Sequence, residues 1–320
     1  MFEEEYYIPR TKKIGIIGSG LIGRSWAMIY AAYGYDVYLH DINETLIDSA
    51  IKKIHEEIQN FSKKGILRGH HTVTMQQSRI FKAISLLDCV SNALHVQECI
   101  PENLELKQKL FVEIDSIIDD EVVVASSSSC FLPSKLTQEL NHRKQMLVAH
   151  PINPPYFVPL VELVPSPWTC EKIMKQTYKL LTNVGQKPVN IKKEIPGFIV
   201  NRIQYVILNE CYRLIRDGVI SVEDVDKVMS DGLGMRYAFM GPFEVAHLNA
   251  PNGLPDYFDR YANGIYDVSN DMGPAPLMVG ETNTKISETW LNKIPIEQLQ
   301  ERQKWRDEKL IALSKIKKNQ

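Results

Sequence analysis

The sequence predicts an α/β protein in which a doubly wound sheet is followed by an all-α domain. Short apolar segments alternate with helical segments over the first part of the chain, and a glycine-rich turn joins the first strand to the first helix. After about residue 195 only helical patterns remain. Such alternation is typical of a parallel sheet covered by helices on both faces. We therefore predict two domains, residues 1–195 and 196–320.

The predicted strands and helices at the start of the chain are closely and regularly spaced. Residues 12–40 have the pattern of a strand, a glycine turn, a helix closed by Gly34, and a second strand. Asn43 is a typical N-cap for the next helix, whose apolar residues recur three and four positions apart. This stripe comprises Ile47, Ile51, Ile54, Ile58 and Phe61.

Three further strands and two further helices are predicted. The strands are HVQECI (95–100), EVVVASS (121–127) and KQMLVAH (144–150). Pro101, with Glu102 and Glu105, is expected in the first turn of a helix that runs to about Ile118. A second helix is expected to begin after Pro196 and to close at Gly218. Further along, Ser221 and Asp224 have the spacing of a capping box, and the last stretch is expected to form an amphipathic helix.

Composition and charge exclude several classes of function. The 320 residues are 44% hydrophobic and 24% charged, with a formal net charge of −2, which favours neither nucleic acid nor an anionic membrane as partner. No apolar run approaches the roughly 20 residues of a membrane span, and the acidic first ten residues do not resemble a targeting signal. Five scattered cysteines without a C-x-x-C pair argue against disulfides and a metal site. We expect a cytoplasmic protein.

The glycine turn predicts a dinucleotide site. Gly18, Gly20 and Gly23 form G-x-G-x-x-G between a strand and a helix, and Asp41 ends the next strand 18 residues after Gly23. In a Rossmann-type sheet these glycines permit the tight turn, the approach of a pyrophosphate and the close packing of helix on strand. Asp41 would accept hydrogen bonds from the ribose hydroxyls and repel a 2′-phosphate. The pattern therefore favours NAD over NADP, whereas a purely structural βα turn would leave Asp41 an ordinary surface residue.

A histidine and a glutamate flank the proline-rich segment HPINPPYFVPLVE. His150 ends a predicted strand, at the edge where α/β sheets bind ligands, and its ordinary pKa suits proton exchange with an alcohol. Glu162 could orient the ring and stabilise the imidazolium if the intervening loop folds back. Four prolines make an ordinary helix or central strand improbable there, so we expect a rigid loop that holds the two side chains together.

Extended motifs identify a family resemblance. GSGLIG, ASSSSC, HPINPP, PGFIVNR and GPFE together resemble the L-3-hydroxyacyl-CoA dehydrogenase superfamily over about residues 12–313. The longer stretches GSGLIGRSWAM and GLGMRYAFMGP are similar to a branch of that superfamily that oxidises L-gulonate. The resemblance implies an NAD-dependent oxidation of a secondary alcohol, and a homodimer built on the helical domain.

The resemblance also implies roles for individual residues. His150 and Glu162 match the catalytic pair, and Ser129 and Asn201 match the groups that hydrogen-bond the reacting oxygen. Ser127 and Ser128 stand where the family often has Asn-Thr, so the choice of Ser129 rests on its spacing of 21 residues from His150. The implied cofactor contacts are Leu21, Ile22, Asp41, Glu102, Lys107, Ser129 and Asn153.

Substrate choice depends on where cationic side chains lie. Arg236 is a candidate anchor for a free carboxylate, because its planar guanidinium can bind both oxygens, although a surface or interface ion pair would suit it equally. Lys63, Lys64 and Arg68 could serve the phosphates of coenzyme A, but are expected to form the solvated end of a helix. The resemblance to the L-gulonate branch implies a hydroxy-acid substrate, L-gulonate above all. The alternatives are a 3-hydroxyacyl-CoA or carnitine dehydrogenase, and a structural protein that binds NAD without turnover.

Overall fold

The computed structural model describes residues 11–318 and divides after Ile199 into two compact units. The acidic segment 1–10, where no targeting signal is predicted, lies outside the described residues. None of the helices in residues 11–318 has both the length and the apolar content of a transmembrane span.

The N-terminal unit is built on one mostly parallel sheet. Over residues 11–199 the sheet has eight strands in the order β3-β2-β1-β4-β5-β6-β7-β8. The strands are β1 (Lys13–Ile17), β2 (Asp36–His40), β3 (Ile80–Lys82), β4 (His95–Glu98), β5 (Val123–Ser126), β6 (Met146–Pro151), β7 (Leu160–Pro165) and β8 (Lys187–Asn190). Among these eight strands, β6 and β7 pair antiparallel, and all other neighbouring strands pair parallel. The order reverses between β1 and β4, which is where an open α/β sheet binds its ligand.

Helices cover both faces of this sheet, as the sequence predicts. They are α1 (Leu21–Ala32), α2 (Glu44–Lys63), α3 (Val73–Gln77), α4 (Leu86–Val90), α5 (Leu104–Asp115), α6 (Pro133–Thr137) and α7 (Glu171–Asn183), with a 3-10 turn at Arg143–Gln145. Alternate residues of β6 enter two separate cores: Leu147 and Ala149 pack with α1, α2 and α7, whereas Met146 and Val148 pack with α4, α5 and α6. The period of two along a strand explains this division.

The predicted cap and stripe of α2 are confirmed. The side chain of Asn43 accepts a hydrogen bond from the backbone of Thr45. Ile47, Ile54 and Ile58 are buried in the core, and Ile51 and Phe61 pack partly buried against it.

Two predicted helix starts are wrong. The helix expected from Pro101 to Ile118 begins at Leu104, where Asn103 caps it, and ends at Asp115. Pro101 and Glu102 therefore lie in the preceding loop. The helix expected after Pro196 begins at Val200, because Gly197 (φ 76°) and Phe198 (φ 48°) adopt left-handed backbone conformations that a right-handed helix cannot contain.

The C-terminal unit is helical throughout. Its elements are α8 (Val200–Arg216), α9 (Val222–Lys227), a π-helical turn (Val228–Leu233), α10 (Gly234–Tyr237), α11 (Pro242–Leu248), α12 (Gly253–Asp271), α13 (Glu281–Lys293), a 3-10 turn (Ile296–Gln298) and α14 (Leu299–Lys318). The Ser221 hydroxyl caps α9 by accepting from the backbone of Asp224, as the sequence predicts. Gly218 (φ 70°) follows the end of α8.

Candidate active site

The glycine turn leaves space at the start of α1. A side chain at Gly18 (φ 99°) would place a Cβ 2.6 Å from the carbonyl oxygen of Cys99, and one at Gly23 would lie 1.9 Å from the carbonyl oxygen of Gly18. These two glycines are required by the packing of the turn itself. A Cβ at Gly20 would meet no atom within 4 Å, and no side chain caps the helix there. The N–H groups at the start of α1 are therefore accessible to an anion such as a pyrophosphate.

A carboxylate stands beside this turn. Asp41 follows β2, and its Oδ2 accepts hydrogen bonds from the backbone N–H of Ser19 at 2.7 Å and from the Ser19 hydroxyl at 2.6 Å. The side chain is thus fixed beside the glycine turn, at the carboxyl end of β2. Leu21 is half exposed on the first turn of α1, and Ile22 packs partly buried against the core. Open backbone N–H groups next to an anchored carboxylate fit a dinucleotide.

His150 and Glu162 form a buried pair across two neighbouring strands. They are directly opposite each other in the antiparallel ladder of β6 and β7, and Nδ1 of His150 lies 2.8 Å from Oε2 of Glu162. Residues in register on adjacent strands point to the same face of a sheet. The connection between the two strands folds Glu162 back against His150, as expected, but Glu162 itself lies on a strand inside the sheet, which the prolines had argued against. Pro154 and Pro155 occupy the connection.

The second oxygen of Glu162 is also engaged. Oε1 accepts a hydrogen bond from the backbone N–H of Ile199 at 2.8 Å. Phe198, in its left-handed conformation, places its ring 5.7 Å from the ring of His150. Glu162 is completely buried, and an ionised carboxylate can only accept hydrogen bonds. Nδ1 of His150 therefore carries a hydrogen and donates it to Oε2 of Glu162.

Glu102 orders the serine segment that follows β5. One oxygen of its carboxylate accepts from the Ser128 hydroxyl at 2.9 Å and from the Ser129 backbone N–H and hydroxyl, at 2.5 and 3.1 Å. Burial opposes ionisation of Glu102, but the positive charge of Lys107 and these hydrogen bonds outweigh it, so the pKa of Glu102 is lowered. Ser129 is half-buried.

Lys107 lies almost completely buried between two carboxylates. Its Nζ is 2.7 Å from Oε1 of Glu98 and 3.3 Å from Oε2 of Glu102, and it donates to the carbonyl of Ile100 at 3.0 Å. Glu98 is fully buried at the end of β4 and was not singled out from the sequence. Its signal was present in the chain: a lone carboxylate in an otherwise uncharged predicted strand, nine residues before a lysine.

The other predicted site residues are on elements outside these clusters. Asn153 is exposed in the connection between β6 and β7, where a cis peptide bond joins it to Pro154. Asn201 is in the first turn of α8, and Arg236 is on α10, directly after the π-helical turn; both belong to the C-terminal unit. The side chain of Arg236 is exposed and makes no hydrogen bond or ion pair with any residue that the structure describes. π-helical turns occur frequently at functional sites.

The prediction that Arg68 belongs to the solvated end of a helix is wrong. Its guanidinium donates to the carbonyls of Val184 at 2.9 Å and Tyr156 at 3.3 Å, and its backbone N–H donates to the Tyr156 hydroxyl at 2.9 Å. Burial lowers its pKa. The side chain therefore fastens the loop after α2 to neighbouring backbone of the N-terminal unit, which does not favour a role at the centre of a phosphate site.

The doubly wound sheet, the open glycine turn and the buried His–Glu pair define a dehydrogenase that uses a dinucleotide. The chain belongs to the 3-hydroxyacyl-CoA dehydrogenase family: the model of the family's NAD binding domain matches residues 13–195, and the model of its C-terminal domain matches residues 197–286. NAD is accordingly the cofactor, and the resemblance to this superfamily is confirmed.

Individual relatives cover nearly the whole chain. It is 49% identical to the lambda-crystallin homolog of Rattus norvegicus, over 97% of each protein. It is 31% identical to the L-carnitine dehydrogenase of Oceanobacillus iheyensis, over 94% of this chain and 97% of the relative. A solved NAD⁺-dependent dismutase, 5-formyl-3-hydroxy-2-methylpyridine 4-carboxylic acid 5-dehydrogenase, superposes with a TM-score of 0.81 at 27% identity, over 96% of this chain and 98% of that one.

Proposed function

We propose that this protein oxidises the 3-hydroxyl of L-gulonate and related L-3-hydroxy acids to the 3-keto acids, with NAD as hydride acceptor. The observation that carries the proposal is the contact of 2.8 Å between Nδ1 of His150 and the fully buried carboxylate of Glu162. A histidine whose Nδ1–H is held by an anchored carboxylate has Nε2 available as a general base. Bound NAD supplies the hydride acceptor, at C4 of its nicotinamide.

His150 takes the hydroxyl proton as the hydride leaves the same carbon. Glu162 then stabilises the imidazolium, and because the Ile199 N–H holds its other oxygen at 2.8 Å, the carboxylate does not reorient during the transfer. Ser129 and Asn201 hydrogen-bond the reacting oxygen, which favours the charge that develops there. In ketone reduction the same groups act in the opposite protonation states.

The cofactor contacts follow from the glycine turn and its neighbours. Gly18, Gly20 and Gly23 with Leu21 and Ile22 take the pyrophosphate side of NAD, and Asp41 takes the ribose hydroxyls. The remaining proposed contacts are Glu102, Lys107, Ser129 and Asn153. Glu102 and Lys107 would act mainly through their mutual ion pair of 3.3 Å, because Lys107 is buried.

A free carboxylate is the favoured recognition group of the substrate. Arg236 is exposed and has no partner among the described residues, so its guanidinium is available for both carboxylate oxygens. Arg68, the candidate for coenzyme A phosphates, is committed to backbone carbonyls instead. The carnitine dehydrogenase and the pyridine carboxylic acid dehydrogenase among the relatives are also named for substrates with a free carboxylate.

Initial rates with three substrates test this proposal. Purified protein receives saturating NAD with L-gulonate, L-carnitine or L-3-hydroxybutyryl-CoA, and NADH absorbance is followed. We expect kcat/KM for L-gulonate to exceed that for the other two at least about tenfold, a difference of about 1.4 kcal/mol. A preference for the CoA ester would assign the protein to fatty acyl substrates. No turnover of any substrate while NAD still binds would indicate a structural protein.

We further propose a cytosolic homodimer that associates through the C-terminal unit. Large apolar side chains stand exposed on its helices, among them Ile203 and Val206 on α8 and Tyr266 and Val268 on α12. Exposed apolar patches of this kind are typical of association sites, and a second copy would cover them. All five cysteines lie within the described residues and are free, which suits a reducing compartment. Sedimentation at micromolar concentration tests the dimer, and a monomer would contradict it.

A further inference from the structure

A buried glutamine contacts the strand that carries the proposed general base. Gln97 lies on β4, is completely buried, and has no part in the proposed reaction. Its side-chain amide donates twice: Nε2 lies 2.8 Å from the Ser127 hydroxyl and 3.2 Å from the carbonyl oxygen of Ala149. Ala149 directly precedes His150 on β6. The amide therefore contacts the backbone one residue away from the base.

The orientation of this amide is set by its neighbours. A carbonyl oxygen can only accept a hydrogen bond, so the atom that faces Ala149 is the nitrogen, and Oε1 of Gln97 faces Nε2 of His95 at 2.9 Å. Nε2 of His95 consequently carries a hydrogen and donates it to Oε1. His95 is also completely buried. Because a buried polar group without a partner is costly, these contacts favour one orientation of the Gln97 side chain.

The Gln97 amide contacts β6 beyond the point where β5 ends. The last residue of β5, Ser126, is opposite Val148, so Ala149 and His150 extend past the parallel ladder. The side-chain amide of Gln97 takes the place that a further residue of β5 would have as donor to Ala149.

The backbone groups nearest to Ala149 face other partners. The N–H of Ser128, which follows β5, donates to the Ser126 hydroxyl at 3.1 Å. Leu163 of β7 is opposite Ala149, but its carbonyl accepts from Ile191 at 2.9 Å and so faces β8, and the N–H of a strand residue points to the same side as its carbonyl. Within residues 11–318, the side-chain amide therefore supplies the Ala149 carbonyl with the hydrogen bond that β5 and β7 leave open.

We propose that Gln97 is a positioning residue for the general base: by holding the carbonyl of Ala149 it fixes the end of β6, and with it the place of the His150 ring relative to the substrate. Glu162 holds the ring from β7, at 2.8 Å, so the base is held from both sides of its strand. The inference rests on the proposed function, in which His150 takes the hydroxyl proton. A displacement of about 1 Å at a reacting group can slow a reaction about 100-fold, so loss of this contact should reduce the rate of transfer.

A double-mutant cycle between Gln97 and His150 tests the inference. Gln97→Met keeps the length of the side chain and removes its hydrogen bonds. It is compared in the wild-type and His150→Asn backgrounds by single-turnover NADH formation, at saturating NAD and L-gulonate. We expect it to slow wild-type transfer about tenfold and His150→Asn transfer less than about twofold, because residues that act as a unit are non-additive. Equal slowing in both backgrounds, or an unchanged wild-type rate, would overturn the inference.

Gln145→Met is the matched control. Gln145 is also a buried glutamine whose amide donates to two backbone carbonyls, those of Asp119 at 2.6 Å and Val122 at 2.8 Å. It directly precedes β6, at the end of the strand far from His150. We expect both substitutions to lower the melting temperature, and Gln97→Met alone to slow the transfer. Equal slowing by the two variants would assign the effect to a general loss of stability and overturn the inference.

If Gln97→Met does not fold, Gln97→Glu takes its place in the cycle. At alkaline pH its ionised carboxylate still accepts from His95 and from the Ser127 hydroxyl but cannot donate to Ala149, so the same non-additive pattern is expected. The proposed function fails separately, when wild-type protein forms no NADH with any hydroxy acid. The inference fails alone when wild-type protein is active and the cycle is additive.

Discussion

The two units of this protein differ in which side chains they bury and which they expose. In the N-terminal unit, titratable side chains are buried and paired: His150 with Glu162, and Lys107 with Glu98. In the C-terminal unit, Arg236 is exposed without a partner among residues 11–318, and large apolar side chains such as Phe243 face solvent. The proposed function assigns the chemistry to residues of the N-terminal unit, and it assigns the anchoring of the substrate carboxylate and the association with a second copy to the C-terminal unit. Substitutions in the two units should therefore change different quantities.

The largest effect is expected in the N-terminal unit, from His150→Asn. This change removes the general base while keeping a side chain of similar polarity. We expect turnover to fall roughly 10² to 10⁴-fold, about 3 to 5 kcal/mol, because that is the usual contribution of general base catalysis. NAD affinity, measured by fluorescence titration, should remain that of the wild type. Full turnover in this variant would show that His150 is not the general base.

A second N-terminal prediction concerns pH and stability. His95 is completely buried on β4, and burial lowers its pKa to about 4, although Gln97 hydrogen-bonds the ring. Below an ordinary pKa of about 6.5 the unfolded chain takes up a proton that the folded protein does not accept until about pH 4. Stability is therefore full above pH 6.5, and about 3 kcal/mol of it is lost as the pH falls to 4.

Urea unfolding between pH 7 and pH 4 measures this loss. His95→Gln retains a donor for Gln97 but cannot titrate, so we expect its free energy of unfolding to fall less steeply with acid than that of the wild type. His70→Gln, at an exposed position, is the matched control and should keep the wild-type slope. Parallel curves for wild type and His95→Gln would remove His95 as the cause.

In the C-terminal unit, Arg236→Gln should change binding and leave the chemistry intact. Loss of a charged hydrogen bond to the substrate carboxylate is worth about 1.5 to 3 kcal/mol, so KM for L-gulonate should rise about 10 to 100-fold with kcat nearly unchanged. Arg260→Gln serves as the control, because Arg260 is exposed on α12 but already paired with Asp256. An unchanged KM in Arg236→Gln would place the carboxylate elsewhere.

The smallest predicted effect concerns the choice of cofactor. Asp41→Ala removes the carboxylate that accepts from Ser19 and that would accept from the ribose hydroxyls of NAD. KM for NAD should rise about tenfold, and the preference for NAD over NADP should decrease because the repulsion of the 2′-phosphate is lost. Steady-state kinetics with both cofactors checks this, and an unaltered preference would exclude Asp41 from its proposed role.

The features that the sequence predicts well are local, and those that it missed depend on pairing. The glycine turn and the Asn43 cap are set by neighbours a few residues away, so their patterns are visible in the chain. The pairing of Glu162 with His150 was predicted, but the strand around Glu162 was missed because prolines flank it, and it is the register of β7 against β6 that brings the two side chains together. The burial of Glu98 was likewise hidden, since its partner Lys107 is recognisable as a buried lysine only in the folded protein.

The central claim is direct hydride transfer from carbon 3 of a hydroxy acid to NAD, with His150 as base. The most direct test uses L-gulonate that carries deuterium on carbon 3, with mass analysis of the NADH formed by the wild-type protein. We predict NADH that retains one deuterium, formed more slowly than from unlabelled substrate if hydride transfer limits the rate. Unlabelled NADH would contradict the assigned site of oxidation, and no NADH at all from this substrate would contradict the proposed function.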